Sequence, residues 1–250
     1  MKYNGNSHFA FLLLYATVTC MTLSLALHLG HTPHSFGIWS SEGWRTEYHF
    51  IATHALTDSL ILTIQSELSK KGHKLSSLTH LAVTTGPGSS TGCRVAITLI
   101  KTLAQALQIP IFSVDSLTAL LLPYRPFSGT YLTLYPSAKP KFHAQLWRIA
   151  STQLKPITLP FEWTLPVMNQ QMAKFQAPVL AVGTWPPDTV FPPSVFPLLS
   201  AISTGMIAES IPSSSLQMLF QSTLPCDTIT PSPRYAYPPT QTEPLKNRRS

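Results

Sequence analysis

The stretch Gly86-Pro87-Gly88-Ser89-Ser90-Thr91-Gly92-Cys93-Arg94 constrains the fold of this chain more than any other. It stands between a short apolar run, Leu78 to Thr84, and an amphipathic one, Val95 to Leu107, in which Ala96, Leu99, Ile100, Leu103 and Leu107 recur at helical spacing. That order predicts a strand, a tight turn and a helix. Glycine permits positive φ and close approach of one backbone to another, while Pro87 stiffens the turn. Ser89, Ser90 or Thr91 can cap the helix, whose free N–H groups would face whatever lies over the turn, a ready anion site. Two phosphate-binding motifs are excluded by spacing. A phosphate-loop NTPase needs Gly-Lys followed by Ser or Thr, whereas Gly92 precedes Cys93 and Arg94; and Gly86-x-Gly88-x-x-x-Gly92 is one residue too long for a dinucleotide fingerprint. The same residues also suit a purely structural strand-to-helix turn.

Around this turn the pattern is that of an α/β chain with a partly antiparallel sheet. Phe11 to Thr17, Leu23 to Leu29 and Trp44 to His49 read as early strands, Ala52 to Leu68 as a helix with Leu56, Leu60, Ile64 and Leu68 on one face, and Ile109 to Val114 as a closing strand. Only Pro33, Pro87 and Pro110 of the 23 prolines lie in residues 1–122. This shift in composition, together with Pro123-Tyr124-Arg125-Pro126, divides the chain into a first lobe, 1–122, a smaller one, 123–226, and a Pro-rich tail, 227–250. In the second lobe, strands are expected at Tyr131 to Tyr135, Phe142 to Ile149 and Val179 to Val182, and helices at Val167 to Phe175, Pro197 to Glu209 and Ser214 to Gln221.

Hydrophobic residues at 44% are enough to fill real cores, and charged residues at 11% fall well below the roughly 25% usual for soluble domains, which points to surface covered by a partner. The net charge of +7 favours an anionic neighbour, yet the only tight basic cluster is Lys246, Arg248 and Arg249. Three cysteines without a Cys-x-x-Cys pair support neither a disulfide framework nor a thiolate metal site and suit a reducing compartment. His28, His31 and His34 are spaced by three, but Gly30 and Pro33 make the segment a turn and no acidic ligand adjoins it, so no metal is expected. Asp115 reads as a helix N-cap, and Ser89 and Ser90 lack the Gly-x-Ser-x-Gly elbow of a hydrolase. The uncharged run Phe9 to Leu29 after Lys2 fits either a signal or spanning segment or two buried strands joined by a polar turn.

Gly-Pro-Gly-Ser, then Thr-Gly-x-Arg, then an amphipathic helix containing Lys101 and Ala104 resembles the signature of the TsaB (YeaZ) family. Leu78 to Val83, Leu107 to Ile111, Val114 to Leu117, Thr53-His54 and Leu23 to Leu27 resemble it in the same order, so residues 11–122 match well and the rest loosely. The resemblance implies two ribonuclease-H-like lobes of the actin/sugar-kinase/Hsp70 (ASKHA) type. It implies a non-catalytic scaffold subunit in the cytoplasm that docks on a TsaD-like catalytic partner, with a TsaE-like ATPase, in forming threonylcarbamoyladenosine in tRNA. Transfer RNA is then met through the complex, a homodimer stays open, no membrane is involved, and no cofactor is held beyond weak nucleotide binding at a subunit interface. Gly86, Pro87, Gly88, Ser89, Ser90, Thr91, Gly92 and Arg94 form the turn, and His54, Leu56, Leu60, Ile64, Leu99 and Leu103 the docking face. It also makes Phe9 to Leu29 a buried hairpin. The chain departs from the family at Tyr15-Ala16-Thr17-Val18-Thr19, where an Asp-Thr pair is usual, at Ser90 (an aromatic), at Pro136 (an Asp) and at Pro233 to Tyr237. A hydrolase or ATPase using residues 86–94, an exported or anchored protein, and two helices that merely cover their own sheet remain the alternatives.

Overall fold

A computed structural model describes residues 21–51, 54–137, 140–173, 178–185, 189–200, 204 and 206–207. Five strands make the first sheet: β1 (Leu23–His28), β2 (His34–Ser40), β3 (Trp44–Phe50), β4 (His80–Thr84) and β5 (Ile111–Val114), in the order β3-β2-β1-β4-β5. β1 to β3 are joined antiparallel by short turns, while β1, β4 and β5 run parallel and need helical crossovers. Helix α1 (His54–Lys70) links β3 to β4, and α2 (Ser90–Leu107) links β4 to β5.

Strand alternation sorts β1 between two cores. Leu23, Leu25 and Leu27 point to the helical side, where they meet Leu81 and Val83 of β4, Leu60, Ile64 and Leu68 of α1, and Ala96, Ile100 and Leu103 of α2. Ala26, one residue out of phase, joins Ala82 and Val114 on the opposite face, which looks toward the second sheet. β1 is buried along its whole length because both faces are covered and both edges are paired.

That pairing corrects the expected early hairpin. The antiparallel partner of β1 is β2, downstream, and its other edge is taken by β4; the expected strand Phe11 to Thr17 falls within residues 1–20, which lie outside the described residues. Among the described residues no helix is long and apolar enough to cross a membrane.

The second sheet has β6 (Gly129–Pro136), β7 (Lys141–Ala150), β8 (Gln153–Pro156), β10 (Val179–Gly183) and β11 (Val195–Leu199) in the order β11-β10-β6-β7-β8, with β9 (Phe161–Thr164) also paired to β7. Short α3 (Ser116–Ala119) follows β5, with the Asp115 carboxylate capping it through the Thr118 N–H at 2.8 Å. α4 (Leu165–Met172) covers one face of the second sheet through Met168 and Met172. Its other face presents Tyr131, Tyr135, Trp147, Ile149 and Val182 to the first sheet, and Leu117, Leu120, Leu121 and Leu122 fill the space between.

One helix expected from the sequence, Pro197 to Glu209, begins instead as strand β11, in which Pro197 lies opposite Ala181. An outermost strand tolerates proline because its free edge needs no donor. The expected helix at Ser214 to Gln221 and the tail from Asp227 lie outside the described residues.

Candidate functional site

The glycine-rich turn is held against the chain's own β1–β2 turn. The Ser89 N–H donates to the Gly30 carbonyl at 2.7 Å, and the Ser116 N–H donates to the Gly86 carbonyl at 2.8 Å, so the turn is pinned at both ends. Gly86 has φ +102°, a conformation L side chains rarely adopt. A Cβ on Gly88 would lie 2.6 Å from the Gly30 oxygen and 2.8 Å from His31 Cε1, and one on Gly92 would overlap the Leu29 carbonyl. The close approach that glycine permits here is thus to Leu29–His31. Ser89 is the cap: its hydroxyl accepts from the Gly92 N–H at 3.2 Å and its carbonyl from the Cys93 N–H at 2.9 Å. Two donors of the first turn of α2 are satisfied locally. Ser89, Ser90, Thr91 and Arg94 remain exposed at the surface, while Gly86 and Pro87 are buried.

Two concavities flank the turn. A cavity of about 180 Å³ is lined by Leu29, His34, Phe50, Leu60, Ser89, Thr91, Gly92 and Val95. A wider groove of about 440 Å³ runs between α1 and α2, lined by Leu60, Ile61, Arg94, Val95, Thr98, Leu99 and Thr102.

The docking face expected from the sequence needs correction. Leu60 is 1% exposed, Ile64 0% and Leu103 8%, and all three belong to the core under the helices. The reason is geometric: residues four apart form the strongest apolar stripe, and that stripe is the one a helix turns toward its own sheet. Leu60 alone of the three also lines the groove, and Leu99 is half-buried on its wall. Among the described residues of α1 the exposed large apolar side chain is Leu62, at 62%, two positions from Leu60 and so on the far side of the helix. His54 and Leu56 fall within α1, but their side chains lie outside the described residues.

Beneath the turn lies a cluster that sequence spacing did not reveal. The His31 ring stacks on Tyr135 of β6 with centroids 3.7 Å apart and on His28 at 5.7 Å. His28 Nδ1 shares a 2.7 Å hydrogen bond with the Thr84 hydroxyl. Neither nitrogen of His31, nor His28 Nε2, nor His143 Nδ1 has a hydrogen-bond partner, and all are buried. Burial, with His34 adding to it, pushes the His28 pKa down to about 3; burial and the neighbouring His28, His143 and His34 hold His31 well below its usual value. Burial also lowers His143, although Glu162, directly opposite it in the β7–β9 pair, works the other way. These rings are neutral near pH 7. The sequence placed His28 and His31 in one turn, but Tyr135 and His143 come from over a hundred residues away and carry no local signal.

The first hairpin now has a definite turn, Leu29-Gly30-His31-Thr32-Pro33, which replaces the expected position at Tyr15 to Thr19. It too carries no carboxylate. Among the described residues no group of three or more His, Cys, Asp or Glu is placed to hold a metal ion. Cys93 is buried, and burial raises its thiol to about 11, which keeps it protonated and unreactive.

The profile of the family described as TsaD, tRNA N6-adenosine threonylcarbamoyltransferase, matches residues 50–143, the stretch that holds both helices and the turn. The tRNA threonylcarbamoyladenosine biosynthesis protein TsaB of Bacillus subtilis (strain 168) is 31% identical over 106 residues, which cover 42% of this chain and 46% of that protein. The matched stretch therefore spans about half the length of that relative. Two solved structures share the fold across both lobes. YeaZ from Pseudomonas aeruginosa superposes with a TM-score of 0.64 at 19% identity, over 86% of this chain and 99% of that one. A protein with similarity to peptidase YEAZ from the same organism gives 0.64 at 18%, over 86% and 100%. The two sheets thus follow the α/β fold of the YeaZ structures, and the sequence likeness is to the TsaD family over residues 50–143 and to TsaB over 106 residues.

Proposed function

We propose that this chain is a non-catalytic subunit in the formation of threonylcarbamoyladenosine in tRNA, and that it docks on a TsaD-like catalytic partner through the outer faces of α1 and α2. The observation that carries the reading is where the likeness to the TsaD family coincides with open apolar surface: within the matched stretch, Ile61, Val95 and Leu99 line a groove between the two helices, and Leu62 is exposed on the outer side of α1. Apolar surface of this kind, ringed by Thr98, Thr102 and Arg94, has the make-up of an interface patch with a polar rim. The absence of a carboxylate in the β1–β2 turn speaks for a subunit that leaves metal-assisted phosphate chemistry to its partner.

On this reading the chain meets tRNA through the complex and holds no cofactor of its own, with any nucleotide bound weakly at the subunit boundary. A TsaE-like ATPase would complete the assembly, and self-association through the same helices would compete with docking. Depleting the protein from its native cell and measuring threonylcarbamoyladenosine in bulk tRNA by mass spectrometry tests the assignment. The modification should fall and return with the wild-type gene. An unchanged level after complete depletion would refute it.

A further inference from the structure

We propose that the His31 stack is a protonation-gated latch between the two lobes: neutral rings hold the sheets together, and a proton on the stack separates them. His31 rises from the β1–β2 turn of the first lobe and lies 3.7 Å, ring to ring, on Tyr135 of the second. The interplanar angle is 11°, so the rings meet face to face over their full area. His28 backs the stack from β1, and Gly88 closes over it with no room for even a methyl group.

The groups that face His31 are His28 from β1, His34 from β2, Tyr135 from β6 and His143 from β7, with Glu162 of β9 opposite His143. Three of these are imidazoles, which carry no negative charge to offset an imidazolium. Glu162, the carboxylate in the set, is already bound by Ser137 at 2.5 Å and Lys141 at 3.3 Å. Neither nitrogen of His31 has a partner that could accept a proton's charge, so the charged ring must leave the stack to be solvated. Burial depresses the pKa, so the folded state binds protons less readily than the unfolded one; the latch is fully closed above about pH 6.5 and is lost as pH falls below it. Because Ser89 and Gly88 pack on the same turn, opening would also release the start of α2.

The test uses the full chain. Histidine Cε1–H resonances, small-angle scattering and Trp147 fluorescence are followed from pH 8 toward pH 3, with far-UV circular dichroism in parallel. Trp147 is buried between the sheets and reports their separation. The latch requires expansion and a red shift that precede the loss of secondary structure and track the titration of His31 itself. His31→Phe keeps a stacking ring without a titrating group and should move the opening at least about one pH unit lower, while His49→Gln, at an exposed position, should move nothing. If His31→Phe does not fold, the wild-type resonances decide. His31 protonating without expansion, expansion at the same pH in His31→Phe, or expansion only together with loss of secondary structure overturns the latch, whatever the chain's partner proves to be.

Discussion

Gly92 and Ser89 sit three residues apart in the turn and serve different purposes, which mutation should separate. A methyl at Gly92 would overlap the Leu29 carbonyl, backbone against backbone, so neither side can yield cheaply. Gly92→Ala should cost about 2–4 kcal/mol of stability, as overpacking against main chain does. Ser89→Ala removes only the 3.2 Å cap bond and should cost about 1 kcal/mol. Urea denaturation of the two variants checks both values, and equal losses would mean that the turn does not pack on Leu29–His31. The turn itself was legible in the sequence, since glycine spacing, a capping serine and a following amphipathic run are local signals. What the glycines approach was not. Gly88 and Gly92 face residues some sixty positions earlier, and no local pattern distinguishes a turn that makes room for a ligand from one that makes room for its own hairpin.

Helices α1 and α2 show the same division between local and distant information. Their existence followed from four-residue spacing, and both are present, α2 beginning at Ser90, where the cap dictates. The side that is free did not follow, because the most apolar stripe of each helix is the one its own sheet claims. Leu60→Ala should therefore destabilise by about 2–5 kcal/mol, as core truncations do, whereas Leu62→Ala should stay within about 0.5 kcal/mol. Thermal melts of the pair measure the difference, and a similar cost at both positions would place Leu62 in the core. β2 was missed altogether. His34–Ser40 contains Gly37 and two serines, a poor strand by propensity, and it is recruited because β1 needs a partner on that edge while Phe36 and Ile38 complete the helical-side core. β11 was missed for the opposite reason, since proline inside a strand reads as a breaker unless the strand is known to be outermost.

Assembled, the chain is two sheets closed on a shared core, with a buried histidine cluster on the seam and a helical face left partly open. The cluster makes global stability depend on acid with a definite sign. His28, His31 and His143 have folded pKa values below the ordinary one, so stability is complete above about pH 6.5 and declines as pH falls toward the folded value of about 3 for His28. Denaturant midpoints at pH 7.5 and 5.0 should show a marked loss at the lower pH; a midpoint that holds or rises would mean that these rings are charged in the folded state. The open helical face carries the functional claim, and direct binding tests it best. The full chain, mixed with the TsaD-like protein of the same cell, should elute with it in size-exclusion chromatography and give a measurable affinity by calorimetry. Leu62→Glu and Leu99→Glu, each first shown to be folded by near-UV circular dichroism, should abolish that binding, since a carboxylate in the interface would be desolvated without a partner. A wild-type chain that fails to bind, or folded variants that bind as tightly as wild type, would contradict the account.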